Sequence, residues 1–185
     1  MDTMRAEERA FLLERLTASE AKLLALAEGM TPEQWLFREM PERWSIAENF
    51  EHLVLFERFI RGVVAKVIAT PAEPEKMQAV ARKQDSVLEL AVVGERKIEA
   101  REVVRPVGDV VDAATMQEML RRERAETIAF AREVQADLRQ HFFPHLTLGD
   151  LDGYQWLLVI AQHSDRHAGQ IKRVMLDPRY PHTRG

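Results

Sequence analysis

The sequence predicts an all-α fold, a four-helix bundle with a long crossover between its second and third helices. Apolar residues recur every three or four positions in four segments of about 20 to 27 residues, which is the pattern of helices with one buried face. Roughly forty residues between the second and third segments lack this period. Four long helices with one long connection pack most simply as a bundle. At 185 residues the chain has the size of one domain, spanning residues 1–185.

The composition excludes several classes of protein. There are no cysteines, so disulfides, a thiolate nucleophile and sulfur-rich zinc sites are excluded, and a metal must be bound by histidine or carboxylate. The net charge is −4 and basic residues are scattered among acidic ones, unlike the surface of a nucleic-acid-binding protein. No segment is long and apolar enough to span a membrane. Residues 1–15 lack the apolar core of a signal peptide, so we expect a cytoplasmic protein.

The first helix is predicted from about Met4 to Glu28. Apolar or small residues recur along it in alternating steps of four and three, and they form one core-facing stripe. The stripe consists of Leu12, Leu16, Ser19, Leu23 and Leu26. Gly29 provides a C-terminal stop, because glycine adopts the left-handed conformation that ends many helices. Over Thr31 to Gln34, Thr31 as N-cap and Pro32 at the first position predict a short helical turn.

The second helix is predicted from Ser45 to about Ala69. Ser45 and Glu48 form a capping box, in which the serine oxygen and the glutamate each accept a hydrogen bond from a backbone N–H. Apolar residues keep the helical period along the segment, and Pro71 ends it because proline cannot continue the hydrogen-bond ladder.

His52 lies at the edge of the apolar face of this second helix, and Glu48 precedes it by one turn. Two interpretations follow. A half-buried imidazole with a nearby carboxylate suits a metal ligand whose ring is oriented by a hydrogen-bond partner. Alternatively, His52 is a histidine at the edge of the core that is hydrogen-bonded to Glu48 across one turn.

The crossover from Pro71 to about Val111 has no long helical period. A short helix is predicted around Glu75 to Lys83, and Ser86 to Val93 is either extended or helical. The segment Ile98 to Gly108 contains a proline and a glycine and predicts an ordered crossover loop. Because unstructured loops of this length are uncommon, we expect the crossover to pack across the domain, where it could wall a pocket.

The third helix is predicted to begin with a capping box at Thr115 to Glu118 and to run to about Arg139. Its inner stripe is interrupted by two polar residues, Glu123 and Thr127. Either these residues face a polar cavity, or the stripe is slightly rotated and they are exposed to solvent.

The fourth helix follows a predicted loop over residues 141–149, and Asp150 is its candidate N-cap. The helix ends at Asp177, where a proline follows. His163 and His167 lie four residues apart on its inward flank, so both imidazoles can reach one point in space. Such a pair alone is a weak indication, because unrelated polar residues often have the same spacing.

In a bundle, binding sites form where side chains of facing helices converge. His52 on the second helix and His163 and His167 on the fourth are placed to converge in this way. Three neutral imidazoles around a divalent ion leave at least one position for water or substrate, which is typical of an open, catalytic site. The alternative is three separate histidines of the core.

Two stretches resemble the motifs of the DinB-like superfamily of bacterial helical proteins. Residues 44–53, WSIAENFEHL, resemble its first motif, and residues 163–171, HSDRHAGQI, resemble its second. The similarity includes His145-Leu146-Thr147-Leu148-Gly149 and Tyr154-Gln155-Trp156-Leu157, which precede the second motif in many members. It extends from about Leu23 to Met175. Two motifs in the right order and spacing are far more specific than either motif alone.

The resemblance implies a four-helix bundle in an up-down-down-up arrangement, with a metal-binding triad at His52, His163 and His167. Relatives include S-transferases that use the low-molecular-weight thiols bacillithiol or mycothiol, and proteins described as metal-dependent hydrolases. It also implies a small-molecule substrate and a homodimer. Three nitrogen ligands suit zinc, nickel or ferrous iron. A non-catalytic metal-binding or interaction module built on a helical bundle is the alternative function.

Four further residues are candidates for a role at the site. Glu48 and Glu123 are candidates for orienting a ligand or for acting as a general base. Arg166 either anchors the fourth helix through a carboxylate or contacts an anionic substrate or cofactor. Gln170, one turn beyond His167, is placed to hydrogen-bond a metal-bound water or the third helix.

Overall fold

The computed structural model describes residues 4–91, 100–108 and 112–182, and within them the protein is mostly α-helical, with a small two-stranded sheet. The four long helices are α1 (Ala6–Ala27), α3 (Ile46–Val67), α6 (Ala113–Glu133) and α7 (Gly153–Val174). The short helices are α2 (Pro32–Leu36), α4 (Met77–Ala81) and α5 (Gln84–Leu88). The antiparallel strands are β1 (Phe142–His145) and β2 (Gly149–Asp152).

The starts of α2 and α3 are set by the caps that the sequence predicts. Ser45 Oγ accepts a hydrogen bond from Glu48 N (3.2 Å), and Glu48 Oε2 accepts one from Ser45 N (2.7 Å). Thr31 and Gln34 form the same reciprocal pair at the start of α2. Gly29, the predicted stop after α1, has a φ of +66°. Each of these local predictions is confirmed.

The start of α6 differs from the prediction. Asp112 is the N-cap, because its carboxylate accepts hydrogen bonds from Thr115 N (3.0 Å) and from Thr115 Oγ1 (2.7 Å). Thr115 therefore lies inside the helix, and the predicted capping box that begins there is wrong. The helix ends at Glu133 and not near Arg139, since Val134 already has an extended conformation. A 3₁₀ turn, Leu138–Gln140, follows.

The predicted loop over residues 141–149 is instead the first half of a β-hairpin. Gly149 begins β2 with a φ of +66°, which glycine adopts without strain. Asp150 lies within this strand, so it does not cap α7; Asp152 does, accepting from Gln155 N at 2.8 Å. The register pairs Phe142 with Asp152, Phe143 with Leu151, Pro144 with Asp150 and His145 with Gly149.

The first half of the crossover forms short helices and 3₁₀ turns. The helix predicted around Glu75 to Lys83 is present as a 3₁₀ turn, Pro74–Lys76, followed by α4. For Ser86 to Val93 the helical alternative is correct as far as Ala91, because α5 is followed by the 3₁₀ turn Glu89–Ala91. The rest of that prediction lies in residues 92–99, outside the described part of the chain.

The second half of the crossover lies against α3. Within the predicted ordered loop Ile98 to Gly108, the structure describes residues 100–108, which include the 3₁₀ turn Glu102–Val104. This turn contacts α3. The prediction of an ordered segment that packs across the domain is confirmed for these residues, and the start of the loop lies outside the described part.

The long helices contact one another in four pairs: α1 packs against α6 and α7, and α3 packs against the same two helices. A charged pair is buried among all four. Arg124 of α6, which is fully buried, donates from Nε and Nη2 to the two carboxylate oxygens of Glu57 on α3 (2.8 and 3.0 Å). It also donates to the Leu16 carbonyl and Ser19 Oγ of α1 and to Ser164 Oγ of α7.

The sequence left open whether Glu123 and Thr127 face a polar cavity or the solvent. Both residues are buried on α6. Glu123 accepts hydrogen bonds from Arg58 (2.5 Å) and Arg61 (2.7 Å) of α3, and Thr127 Oγ1 accepts one from Arg61 (3.1 Å). The polar-interior alternative is therefore correct, and arginine side chains fill the space. No helix in the described residues has both the length and the apolar character that crossing a membrane requires.

Candidate metal centre

His52 projects from the middle of α3 with only 3% of its surface exposed. Its Nδ1 lies 2.6 Å from the backbone carbonyl oxygen of Val104, in the crossover segment. A carbonyl oxygen can only accept, so His52 Nδ1 carries the hydrogen. In the neutral imidazole, Nε2 then has a free lone pair, which is the form that a metal ligand needs.

His167 on α7 is oriented in the same way by a different group. Its Nδ1 lies 2.8 Å from Asn49 Oδ1, while Asn49 Nδ2 donates to the Ser45 carbonyl at 2.8 Å. The second bond determines which end of the amide faces the histidine, because only the NH₂ group can donate to a carbonyl. The amide oxygen therefore faces His167, Nδ1 donates to it, and Nε2 again has its lone pair free.

His163, one turn before His167, is the partly exposed member of the cluster. Its Nε2 lies 2.8 Å from His52 Nε2, so the two nitrogens face each other across the gap between α3 and α7. The ring stacks on Phe56, with centroids 3.9 Å apart and planes at 21°. His163 is therefore the member of the cluster with the most contact with solvent.

The three histidines together form a group that could hold a metal ion. One ring nitrogen from each of His52, His163 and His167 lies within 4.8 Å of the other two. Two of the three lone pairs are fixed by hydrogen bonds at the opposite side of the ring. The donor set therefore fits a divalent transition metal, for which neutral imidazole is a good ligand.

The environment keeps these imidazoles neutral. Burial lowers the pKa of His52, although the hydrogen bond to Val104 opposes the effect. Burial also lowers the pKa of His163 and of His167 well below the usual value. The positive charge of Arg166 lowers both pKa values further. Because protons compete with metal for a histidine nitrogen, a lowered pKa favours metal binding at neutral pH.

Two aromatic rings lie against the cluster. Trp44 lies 4.8 Å from the His52 ring and is stacked near His167, with centroids 6.3 Å apart. Phe56 contacts His52 and His163. Trp44 and Phe56 are themselves only partly buried.

The chain was compared with models of known protein families. The model described as the DinB superfamily matches residues 15–171, which include both helices that carry the histidines. The chain belongs to the DinB superfamily. It is 23% identical over 158 residues to the uncharacterized protein YuaE of Bacillus subtilis (strain 168), covering 84% of this chain and 93% of that protein. No solved structure matches the chain.

The two glutamates predicted near the site of this DinB superfamily protein have other partners. Glu48 completes the cap of α3 and forms an ion pair with Arg38 at 2.8 Å. Glu123 is bound by Arg58 and Arg61. His52 is therefore oriented by the backbone carbonyl of Val104. Glu48, the partner expected from the sequence, does not take this role.

Arg166 and Gln170 lie on α7 near the triad. Both are partly buried, and the charge of Arg166 influences His163 and His167. The neighbouring Asp165 forms ion pairs with Arg15 (2.7 Å) and with Lys22, both on α1. Asp165 therefore joins this part of α7 to α1.

Two groups at the site were missed by the sequence analysis. Asn49 lies within the first motif, three residues before His52, and its position on the same helical flank was a usable signal. The Val104 carbonyl gave no signal, because a backbone oxygen is present at every position and this one is 52 residues from His52 in sequence.

Proposed function

We propose that this DinB superfamily protein is a metal-dependent enzyme in which His52, His163 and His167 bind one divalent transition-metal ion. The observation that carries the proposal is the convergence of three imidazoles whose ring nitrogens lie within 4.8 Å of one another. Three neutral nitrogen ligands suit zinc, nickel or ferrous iron. They leave at least one coordination position for a small-molecule substrate or water.

The residues around the triad are suited to this role. Val104 and Asn49 hold His52 and His167 in one tautomer. The partly exposed His163 borders the side by which a substrate would enter. When bound, a divalent ion would lower the pKa of a thiol or a water molecule that coordinates it.

Of the reactions known among relatives, the contacts favour transfer of a low-molecular-weight thiol to an electrophile over hydrolysis. A hydrolase commonly uses a carboxylate base to accept the proton of water. Glu48 is engaged in a helix cap. Although burial raises the pKa of Glu123, hydrogen bonds from Arg58 and Arg61 lower it overall, which makes Glu123 a weaker base. A thiol has an ordinary pKa of about 8.5 and needs less assistance to lose its proton.

Arg166 and Gln170 are proposed to contact the thiol or its co-substrate. The charge of Arg166 reaches the two histidines of α7, so an anionic group close to the triad would be attracted to it. Gln170 lies one turn further along the same helix and offers both a donor and an acceptor.

The activity is tested with protein loaded separately with zinc, nickel or ferrous iron. We expect metal-dependent consumption of a low-molecular-weight thiol in the presence of a small electrophile such as chlorodinitrobenzene. His52→Ala should abolish the metal-dependent rate, whereas the matched control His141→Ala, a buried histidine outside the triad, should retain it. Fully loaded protein without turnover, over a range of thiols and electrophiles, would favour the non-catalytic metal-binding alternative.

We also propose that the chain is one domain, residues 1–185, folded as a four-helix bundle in the up-down-down-up order, and that it forms a homodimer. The four helix pairs in contact, α1 and α3 each with α6 and α7, support the bundle. A family match over residues 15–171 supports the single domain. Sedimentation equilibrium tests the dimer.

A further inference from the structure

Two neighbouring residues of α3 hold the same segment of the crossover, residues 100–108. The carboxylate of Glu51 accepts hydrogen bonds from Val107 N (3.0 Å) and Gly108 N (3.3 Å). His52, the next residue, donates from Nδ1 to the carbonyl of Val104 at 2.6 Å. The segment is therefore attached to the helix at both of these points, three residues apart.

A buried glutamate is an uncommon way to attach a loop to a helix, because glutamate is rarely buried unless it is paired. It is buried, with 9% of its surface exposed, and burial of a carboxylate is costly unless its oxygens are hydrogen-bonded. Here the two oxygens accept from two consecutive backbone N–H groups. Gly108 has a φ of +81°, a conformation that other residues rarely adopt. The turn is thus shaped to present both N–H groups to the carboxylate.

The position of the Val104 carbonyl depends on this attachment. A backbone oxygen has no side chain of its own to adjust, so it lies where the segment places it. The segment is fixed on one side by the buried Val104 side chain, which is 5% exposed, and on the other by Glu51. Loss of the Glu51 contact would free the turn and loosen the hydrogen bond to His52.

We propose that Glu51 is a positioning residue for the metal site: it fixes the turn at Val107 and Gly108 and thereby holds the Val104 carbonyl against His52 Nδ1. This inference rests on the proposed function, in which His52 is a ligand. It deepens that function by assigning control of the ligand's tautomer and ring angle to a carboxylate that does not touch the metal. Partners that orient a ligand typically change metal affinity 10- to 100-fold when removed.

The first test measures the affinity for Co²⁺ by competition with a chelator. Glu51→Ala should bind Co²⁺ about 10- to 100-fold more weakly than the wild type and shift the visible absorption of the bound ion. Asp137→Ala is the control, because Asp137 also accepts a backbone N–H, from Arg139 at 3.0 Å, at the start of the 3₁₀ turn Leu138–Gln140 that precedes the hairpin. It should alter stability and leave the affinity unchanged.

A second variant covers the case in which Glu51→Ala fails to fold. At Gly108, an added Cβ would meet no atom of the described residues within 4 Å, so we expect Gly108→Ala to act through backbone strain at its positive φ. We expect it to weaken Co²⁺ binding in the same direction. Wild-type affinity and an unchanged absorption spectrum in both variants would overturn the inference.

A readout without metal separates this inference from the proposed function. In the metal-free wild type, the His52 Nδ1 proton should give an NMR signal protected from exchange with water, and Glu51→Ala should remove that protection. If the wild type binds no Co²⁺ but the variant still loses the signal, the metal site is wrong and the positioning of His52 by Glu51 stands. If protection is unchanged, the positioning role is wrong.

Discussion

Asn49 is the residue that determines how His167 faces the other two histidines. It accepts from His167 Nδ1 and donates to the Ser45 carbonyl, both at 2.8 Å. The asparagine is 4% exposed, so neither hydrogen bond is readily replaced by water. The orientation of His167 on α7 thus depends on the first turn of α3.

Removing this contact should weaken metal binding without abolishing it. We expect Asn49→Ala to lower the affinity for Zn²⁺ about 10- to 100-fold, measured by competition with a chelator, because His167 loses its orienting partner. Asn49→Asp keeps an acceptor toward the histidine but loses the donor to the Ser45 carbonyl, so it should bind Zn²⁺ more tightly than the alanine variant and no more tightly than the wild type. Equal affinity of the alanine variant and the wild type would contradict this account of His167.

The lowered pKa values of His52, His163 and His167 predict how the stability of the metal-free protein changes with pH. Each group binds a proton more readily in the unfolded chain, where its pKa is about 6.5, than in the folded protein. The free energy of unfolding should therefore fall as the pH is lowered from 7.5 through 6.5, and it should continue to fall until the folded-state values are reached.

This pH dependence is measured by urea unfolding of the metal-free protein at a series of pH values. Asp152 acts in the opposite direction, because burial raises its pKa from 3.8 to about 6, so the series is run on Asp152→Asn. Replacing His163 by Asn should flatten the slope, which for one proton is at most about 1.4 kcal/mol per pH unit. An unchanged slope would show that His163 is not held neutral by the fold.

At the scale of elements, α7 depends on the cap at Asp152. This residue is 1% exposed, accepts from Gln155 N and forms an ion pair with Arg139 at 3.1 Å. Asp152→Ala should lower the free energy of unfolding by about 1 to 2 kcal/mol, because the first turn of α7 loses its acceptor. Asp152→Asn should lose less, since asparagine caps helices well and needs no buried charge. Thermal unfolding of both variants measures the difference.

Elements with strong local signals could be predicted, and those without could not. The start of α3 was predictable because Ser45 and Glu48 complete a capping box within four residues. The hairpin was not, because four-residue strands are too short to establish an alternating pattern. At α6, two capping residues were close together, and the carboxylate of Asp112 outcompetes Thr115 by bonding both its N–H and its hydroxyl.

At the scale of the whole molecule, the Arg124–Glu57 pair joins all four long helices. Both residues are at most 1% exposed. Glu57→Leu leaves the arginine charge buried without its partner, and we expect it to lower the free energy of unfolding by about 3 to 5 kcal/mol. The double variant Glu57→Leu with Arg124→Met should recover most of this loss, because no buried charge remains. A double variant as unstable as the sum of the single changes would contradict this view.

The three histidines of the candidate site could be selected from the sequence, but the groups that support them could not. The four-residue spacing of His163 and His167 and the resemblance of two motifs were sufficient to select the three histidines. The supports arise from tertiary contacts: Val104 comes from a crossover segment without helical period. Glu123 was assigned a role near the site, but the arginines that bind it lie on the facing helix, and that pairing is not visible in the sequence of either helix alone.

The most direct test of the central claim is the metal content of the folded protein, measured by native mass spectrometry after expression with supplemented zinc, nickel or iron. We predict one divalent ion per chain in the wild type and none in the double variant His163→Ala with His167→Ala, with helical circular dichroism retained in both. Wild-type protein that binds no ion, or a double variant that binds one as tightly as the wild type, would contradict the assignment of the triad.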